Sequence, residues 1–504
     1  MQALFSTNAK RPPIDLKLIV GILGAFITFM GVALLLPAIV AWVYGESAGF
    51  SFLITAIGAA LIGGSTWYFF RPQYELRTRE GFLIVGLTWL LLSLVGAFPF
   101  VFSGVLDSYT DAVFETMSGF STTGATILGG TTAEGIVNPA IEDIPKSLLF
   151  WRSLSHWLGG MGIIVLSIAI LPLLGVGGMQ LFQAEASGIS ADKLTPRVQE
   201  TAKLLWVLYV SLTFIEFILL WIHPSMDWFD AINHAMATLA TGGFSTKNAS
   251  VMAFDSWYID LIITLFMFIA GINFALQLRL FKRKHVQFFQ NRELHLYGFI
   301  SGISIAYLTL VLWLKDDFSF VEAFRYGAFQ AVSIITTTGF GTSDYTLWVP
   351  AAGFFIFLLF FTGGMAGSTG GGVKMVRILV LIKSGVREFK QILHPRAILP
   401  LRMGKQIIEP SIQQTVLSFF LLYIFVFGLG ALVFTFFGYD IVAAASASIA
   451  CLGNVGPGFA EFGPTASFVH LPVVGKWVCI FLMLIGRLEI FTILILFSGE
   501  FWKK

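Results

Sequence analysis

The sequence predicts an all-α polytopic membrane protein: four similar helix–loop–helix repeats with pseudo-fourfold symmetry, plus two N-terminal accessory membrane helices. Three observations predict it. Of 504 residues, 56% are hydrophobic and 12% charged, and the mean hydropathy is +0.83. A soluble domain carries roughly 45–50% apolar and about 25% charged residues, so half the usual charge is left to cover the surface. Ten apolar stretches, each long enough to span a bilayer, alternate with four that are too short. A glycine-bearing turn recurs after each of the short ones.

The chain begins with a basic segment (Lys10, Arg11, Lys17) that runs into an apolar stretch from Leu18 to Tyr44. This stretch is too long for the apolar region of a cleaved signal peptide and no small-residue cleavage site follows, so it reads as a retained anchor. With a second stretch near 49–70 it forms the accessory pair, residues 1–80. Further spans fall near 82–105, 147–177, 203–223, 257–281, 295–314, 351–382, 413–437 and 472–498. The short stretches lie near 110–121, 229–240, 321–336 and 440–452. A segment that enters the membrane and turns back must line an aqueous path or be buried in protein, because lipid cannot satisfy irregular backbone. The repeats are then 81–200, 201–292, 293–405 (with a broken second helix) and 406–504.

Lysine and arginine give the orientation. Basic residues cluster after the second span (Arg71, Arg77, Arg79), the sixth (Lys282, Arg283, Lys284) and the eighth (Lys383, Arg387, Lys390, Arg396, Arg402, Lys405), with Lys503 and Lys504 at the end. Acids mark the opposite side: Asp107, Asp111, Glu142, Asp143, Asp227, Asp230, Asp316 and Asp317. Both termini are expected in the cytoplasm, as an even number of spans requires.

The four turns align as Ser121-Thr122-Thr123-Gly124-Ala125-Thr126, Ala240-Thr241-Gly242-Gly243-Phe244-Ser245, Thr336-Thr337-Thr338-Gly339-Phe340-Gly341 and Gly453-Asn454-Val455-Gly456-Pro457-Gly458. Their central glycines lie 119, 96 and 117 residues apart. An acid opens each short helix: Asp111, Asp230, Glu322 and Asp440. The first two stand 13 residues before their glycine; the others stand 17 and 16 before, about one helical turn more. These residue types suit a cation pore. Rings of backbone carbonyls replace the water shell of potassium, and glycine tolerates the angles that aim them inward. Threonine hydroxyls add oxygen ligands without charge, and a helix C-terminus facing the cavity adds about half a negative charge. One turn alone would read as a loop. Four in register predict helix–pore-loop–helix repeats around one ion pore.

Other chemistries lack their residues. Two cysteines, Cys451 and Cys479, make no disulfide framework or cysteine-rich metal site. Seven histidines form no HxxxH or HExxH spacing, and no clustered nucleophile and base stand in the spans, so the chain is not expected to be an enzyme. A net charge of +2 gives no reason to expect nucleic acid.

With the motifs Phe120-Ser121-Thr122-Thr123-Gly124, Ala240-Thr241-Gly242-Gly243-Phe244-Ser245, Thr337-Thr338-Gly339-Phe340-Gly341 and Asn454-Val455-Gly456-Pro457-Gly458, the sequence resembles the Trk/Ktr/HKT superfamily of potassium transporters. It is most similar to the TrkH-type membrane subunit of bacterial Trk potassium uptake systems. The resemblance runs from Gly81 to the C-terminus, and the accessory pair, which Ktr-type subunits usually lack, matches the TrkH arrangement. It implies a potassium-binding filter of Thr122, Thr123 and Gly124; Thr241, Gly242 and Gly243; Thr337, Thr338 and Gly339; and Asn454, Val455 and Gly456. Plant relatives that prefer sodium carry serine at the first filter glycine. Gly124 therefore implies potassium as the transported ion. Asn454 and Val455 depart from the threonine and glycine pattern, so the fourth segment is expected to coordinate weakly and selectivity over sodium to be modest.

Two further features sit at membrane depth. Gly363, Gly364, Gly367, Gly370, Gly371 and Gly372 interrupt the eighth span ahead of Lys374. No Lys-Ser/Thr follows the last glycine, so this is no phosphate loop. Each glycine costs about 1 kcal/mol against alanine in a helix, so the span must unwind. The resemblance makes it an intramembrane gate; a kink with close packing is the alternative. Arg487 lies in the last apolar stretch beside Glu489. A charge there marks a functional site by default. The resemblance places Arg487 against the gate as an electrostatic barrier; a salt bridge with Glu489 or another acid that fastens two helices is the alternative. Lys374 and Glu216 are further candidates for that network.

The resemblance also implies a homodimer of membrane subunits in a bacterial inner membrane and a cytosolic TrkA-type regulatory ring, with ATP, ADP or NAD bound on that ring and no cofactor on this chain. The basic loops at 282–292 and 383–405 are either its dock or topology signals. The competing class is an ion-coupled secondary carrier working by alternating access. Such folds show two inverted halves, whereas this chain shows four parallel repeats.

Overall fold

A computed structural model describes residues 14–70, 77–169, 195–281, 285–404 and 406–503. Lys10, Arg11, Arg71, Lys282, Arg283, Lys284, Lys405, Lys504 and the fourth apolar stretch beyond Ala169 lie outside the described residues.

Helices α1 (Leu16–Ala33) and α2 (Leu35–Tyr44) make one 29-residue apolar span, and α3 (Gly49–Phe69) returns beside it. The Asp15 carboxylate caps the first helix by accepting from the amides of Lys17 and Leu18. Gly24 and Gly31 lie against Gly63 and Ala56 of the return helix, and small residues at such a crossing let two membrane helices touch at the backbone. Glu46, in the turn between them, accepts from the amides of Lys146 (2.6 Å) and Ser147 (3.0 Å). The accessory pair is thereby fastened to the first repeat by a borrowed helix cap.

Four repeats follow. The first holds α4 (Thr78–Gly96), the short α5 (Tyr109–Phe120) and α6 (Lys146–Ala169). The second holds α7 (Thr195–Trp221), the short α8 (Trp228–Leu239), α9 (Trp257–Ala270) and α10 (Phe274–Phe281). The third holds α11 (Arg292–Lys315), the short α12 (Phe320–Ile335), α13 (Pro350–Leu359) and α14 (Met375–Leu393). The fourth holds α15 (Pro410–Phe436), the short α16 (Ile441–Leu452), α17 (Val473–Leu488) and α18 (Ile490–Leu494). The core sits on the axis that the short helices surround: every residue from Asp111 to Phe120 is buried. The long helices turn residues such as Phe214, Phe354, Phe425 and Leu432 outward to lipid.

The acids that open the short helices occupy two kinds of position. Asp111, Asp230 and Glu322 stand at the third helical residue after the caps Ser108, Asp227 and Ser319. In the fourth repeat Asp440 is itself the cap, accepting from the Val442 amide at 3.1 Å. Only the third short helix is longer, with 16 residues against 12 in the others. The extra spacing in the fourth repeat is therefore a change of capping residue and not an added turn.

Not every apolar stretch is one helix. Six described spans are continuous, while α9–α10 bends by 101° and α17–α18 by 116°. The second bend falls at Glu489, whose φ of 65° no helix accommodates. Hydropathy continues across both breaks, so composition reads each as a single span.

A buried ion pair joins the first and last repeats: Lys476 donates to Asp111 at 2.7 Å, with both side chains 2% exposed, and Asn138 donates to the same carboxylate. Removing one partner of a buried pair leaves the other uncompensated, at about 3–5 kcal/mol. Lys476→Ala is expected to lower the unfolding temperature in detergent sharply. Lys476→Met combined with Asp111→Asn is expected to recover much of that loss. A double variant as unstable as the sum of its single changes would show that the pair does not couple the repeats.

Candidate ion pathway

Each short helix ends in the same backbone motif. Thr122, Thr241, Thr337 and Asn454 take φ of 51°, 53°, 59° and 54°. In every repeat this residue donates its amide to the carbonyl three residues back, and the next residue reaches five back: Thr123 to Ser118, Gly242 to Ala237, Thr338 to Ser333 and Val455 to Ala450, at 2.8–2.9 Å. That is a Schellman closure, in which glycine is the usual left-handed residue. Threonine is β-branched and resists this region, so three of the four turns hold strain of about 1–3 kcal/mol each. Strain kept at equivalent places in three repeats fits a requirement for a hydroxyl there.

Two residues on, Gly124, Gly243, Gly339 and Gly456 again have positive φ, at 81°, 81°, 80° and 105°. A Cβ on Gly124 would strike the carbonyl oxygen of Gly242, and one on Gly243 would strike that of Thr338. On Gly339 it would strike the Val455 oxygen, and on Gly456 the Thr123 oxygen. Each glycine faces the carbonyl just before the glycine of the next repeat, and the fourth closes on the first. The glycine and the residue before it in each repeat thus meet their counterparts in sequential order and close a ring.

Side-chain oxygens surround it. The hydroxyls of Ser121 and Thr123 lie 2.7 Å apart, as those of Thr336 and Thr338 do at 2.8 Å. Thr122 Oγ1 and Asn454 Oδ1 are buried without a hydrogen-bond partner. Asn454 Nδ2 donates to Thr123 Oγ1 (3.0 Å) and to the Met483 carbonyl, so its amide orients the fourth segment while its oxygen stays unpaired. Beyond the glycines a cavity of about 390 Å³ opens, touching Gly124, Gly243, Gly339 and Pro457. The charged side chains at its wall are Arg152 and Lys247. Arg152 is held by buried Glu115 at 2.7 Å and by the Ser245 carbonyl, and Lys247 lies 3.5 Å from Asp230. The basic groups at the mouth are thus matched by acids of the first two short helices. Sequence reasoning missed Arg152, although a charge inside the 147–177 stretch is the same signal that singled out Arg487.

At the other end of the ring lies the glycine-rich segment between α13 and α14. Gly371 donates its amide to Thr337 Oγ1 at 2.6 Å, and Thr369 Oγ1 donates to the Leu239 carbonyl. A Cβ on Gly370 would meet the Thr336 carbonyl oxygen, and one on Gly371 the Gly453 oxygen. Gly367 and Gly372 have φ of 73° and 64°, which the reversal of the chain requires. Gly363 and Gly364 pack at its base, where Met375 donates to the Gly364 carbonyl.

Two cations grip consecutive carbonyls of this segment. Arg487 donates to Thr369 O (2.7 Å) and to Gly159 O of the first repeat (2.9 Å), and Lys374 donates to Gly370 O. Among the described residues no carboxylate lies within ion-pair distance of Arg487. Glu489 instead pairs with Arg377 at 2.5 Å, and the Arg377 guanidinium lies 3.8 Å from the Phe419 ring centre. The helix-fastening salt bridge is therefore Arg377–Glu489, and Arg487 touches the glycine-rich segment. Among the described residues Glu216, on α7, makes no ion pair with either cation, and both its carboxylate oxygens are buried.

Four short helices that aim their C-termini at one closed ring of carbonyls and hydroxyls, inside a polytopic helical bundle, define a cation transporter and not an enzyme. The TrkH family profile, described as cation transport protein, matches residues 48–504. A Trk system potassium uptake protein TrkH of Halomonas elongata is 39% identical over 97% of this chain and 100% of its own. The protein of the same name from Escherichia coli is 40% identical over 97% of this chain and 99% of its own. The crystal structure of the potassium transporter TrkH from Vibrio parahaemolyticus superposes with a TM-score of 0.88 at 38% identity, covering 97% of this chain and all of that one. The chain belongs to the TrkH family.

Proposed function

We propose that this chain carries potassium into a bacterium across the inner membrane, through a filter made of Thr122, Thr123, Gly124, Thr241, Gly242, Gly243, Thr337, Thr338, Gly339, Asn454, Val455 and Gly456. The observation that carries the reading is the closed ring, in which each repeat's glycine faces the next repeat's carbonyl. The relatives named as potassium uptake proteins support the choice of ion. The ion leaves its water at the 390 Å³ mouth and enters with the membrane potential, which supplies about 2.3 kcal/mol per 100 mV for one charge. The segment Gly363–Gly372 is the gate, with Lys374 and Arg487 holding it across the inner end of the ring. Both termini face the cytoplasm. The membrane subunits pair as a homodimer, and a cytosolic TrkA-type ring that binds the nucleotide controls the gate; the relatives' designation as parts of a Trk system supports such an assembly.

The test is potassium against sodium flux into liposomes, wild type against Gly124→Ser. Gly124 has φ of 81° and the serine Cβ meets Gly242 O, so the substitution must displace that oxygen and distort the ring. The expected result is potassium-preferring flux in the wild type and a loss of about tenfold in preference, about 1.4 kcal/mol, in the variant. Flux indifferent to the change would remove the filter assignment and bring an alternating-access carrier to the front.

A further inference from the structure

The break between α9 and α10 and the break between α13 and α14 satisfy each other. Met365 donates its amide to Gly271 O at 2.9 Å, and Phe274 donates to Gly367 O at 3.1 Å. Two side chains reinforce this seam. Asn273 Nδ2 donates to Ala366 O at 2.6 Å, while its Oδ1 accepts from the Leu276 amide and caps α10. Glu293 Oε1 accepts from the Ala366 amide at 2.7 Å and from the Val376 amide at 3.0 Å. Both side chains are buried, at 6% and 2% exposure.

Ala366 is therefore held at both ends of its peptide unit. Its carbonyl goes to Asn273 and its amide to Glu293, and those residues stand at opposite ends of the chain connection between the second and third repeats. Glu293 does a second task, because Val376 lies in the first turn of α14. A carboxylate there caps the helix and complements its dipole. Bonds from an N–H to a carboxylate are roughly twice as strong as neutral ones. Nothing in the filter calls for this grip, and neither residue touches the ring. Its effect is to fix the N-terminal half of the glycine-rich segment while Thr337, Lys374 and Arg487 hold the C-terminal half.

We propose that Asn273 and Glu293 are positioning residues that form a latch: together they hold the glycine-rich segment across the inner end of the ring, and opening requires both to let go of Ala366. This rests on the reading of that segment as the gate. It adds where the closed state is stabilised and assigns that role to two residues outside the segment. Any motion of the connection between the second and third repeats pulls on both, so a regulator acting on that connection has a direct mechanical route to the gate.

The test uses rubidium flux into liposomes holding the full chain with no other protein, for Asn273→Ala, Glu293→Gln, Glu293→Ala and a deletion of Gly370–Gly372. Each alanine variant is expected to raise flux about tenfold, as loss of one strong closed-state contact shifts a two-state population. Glu293→Gln, which keeps an acceptor but loses its charge, falls between. Hydrogen exchange at the Ala366 and Val376 amides is expected to accelerate in step, which a merely stabilising residue would not produce together with raised flux. Wild-type or lower flux in the Asn273 and Glu293 variants, beside raised flux in the deletion, would overturn the latch and leave the gate standing. No rise in the deletion would remove the gate and the latch with it. If Glu293→Ala does not fold, Asn273→Ala and Glu293→Gln decide.

Discussion

Gly339→Ala is expected to abolish potassium flux, at least about a hundredfold below wild type, while leaving the protein folded. Gly339 has φ of 80°, where an L residue is strained, and its added Cβ would overlap the Val455 carbonyl oxygen. The neighbour has no room to yield. Pro457 Cδ lies 2.9 Å from the same Cβ position, so a second wall closes the space beside the Val455 oxygen. The methyl group must therefore push into the ring or displace an oxygen that a dehydrated ion needs. Losing one ligand oxygen from a site that replaces hydration removes several kcal/mol, and about 2.7 kcal/mol already gives a hundredfold. Gly58→Ala is the control, since a Cβ at Gly58 on α3 meets nothing within 4 Å. Flux in liposomes and elution from a sizing column report the two properties separately. Wild-type flux in a folded Gly339→Ala protein would mean that ions do not pass between these carbonyls.

The contrast with Gly124→Ser shows what the repeat conveys and what it hides. Four Thr/Asn-x-Gly turns in register were legible because the strained position and the glycine two residues later recur in the sequence itself. What surrounds each glycine was not legible, because it depends on the Gly242 carbonyl in one case and on Val455 and Pro457 in another, each supplied by the next repeat. The same holds for charges. Lys476 and Asp111 are 365 residues apart and meet only once the fourth repeat closes on the first. Arg487 and Glu489 are two residues apart, and the bend at Glu489 turns them to different partners. Glu293 stands at the start of α11 like any solvated helix-opening acid, and no pattern in its own segment announces that it caps α14. Spacing reveals repeats; it does not reveal pairings between elements whose backbone breaks.

Arg487→Leu is expected to raise potassium flux about thirtyfold in the absence of a regulatory partner. Two effects act in the same direction. Arg487 ties the Thr369 carbonyl to the Gly159 carbonyl, so its loss frees the glycine-rich segment from the first repeat. Its charge also opposes a cation leaving the ring. At an effective dielectric constant of about 20, two unit charges about one helix diameter apart repel by roughly 1.5 kcal/mol, a little over tenfold, and the freed segment adds the rest. Arg487→Lys separates them, since lysine keeps the charge but is a compact point donor that cannot reproduce the planar fork. Flux in the lysine variant near wild type assigns the barrier to charge; flux near that of the leucine variant assigns it to the strut. If Arg487 is such a barrier, no acid is expected beside it, and among the described residues none lies within ion-pair distance. A carboxylate at hydrogen-bond distance would neutralise the barrier, so two neutral carbonyls hold the guanidinium, and Glu489 is turned away to Arg377. A fall in flux in both variants would contradict the assignment of Arg487 to the closed gate.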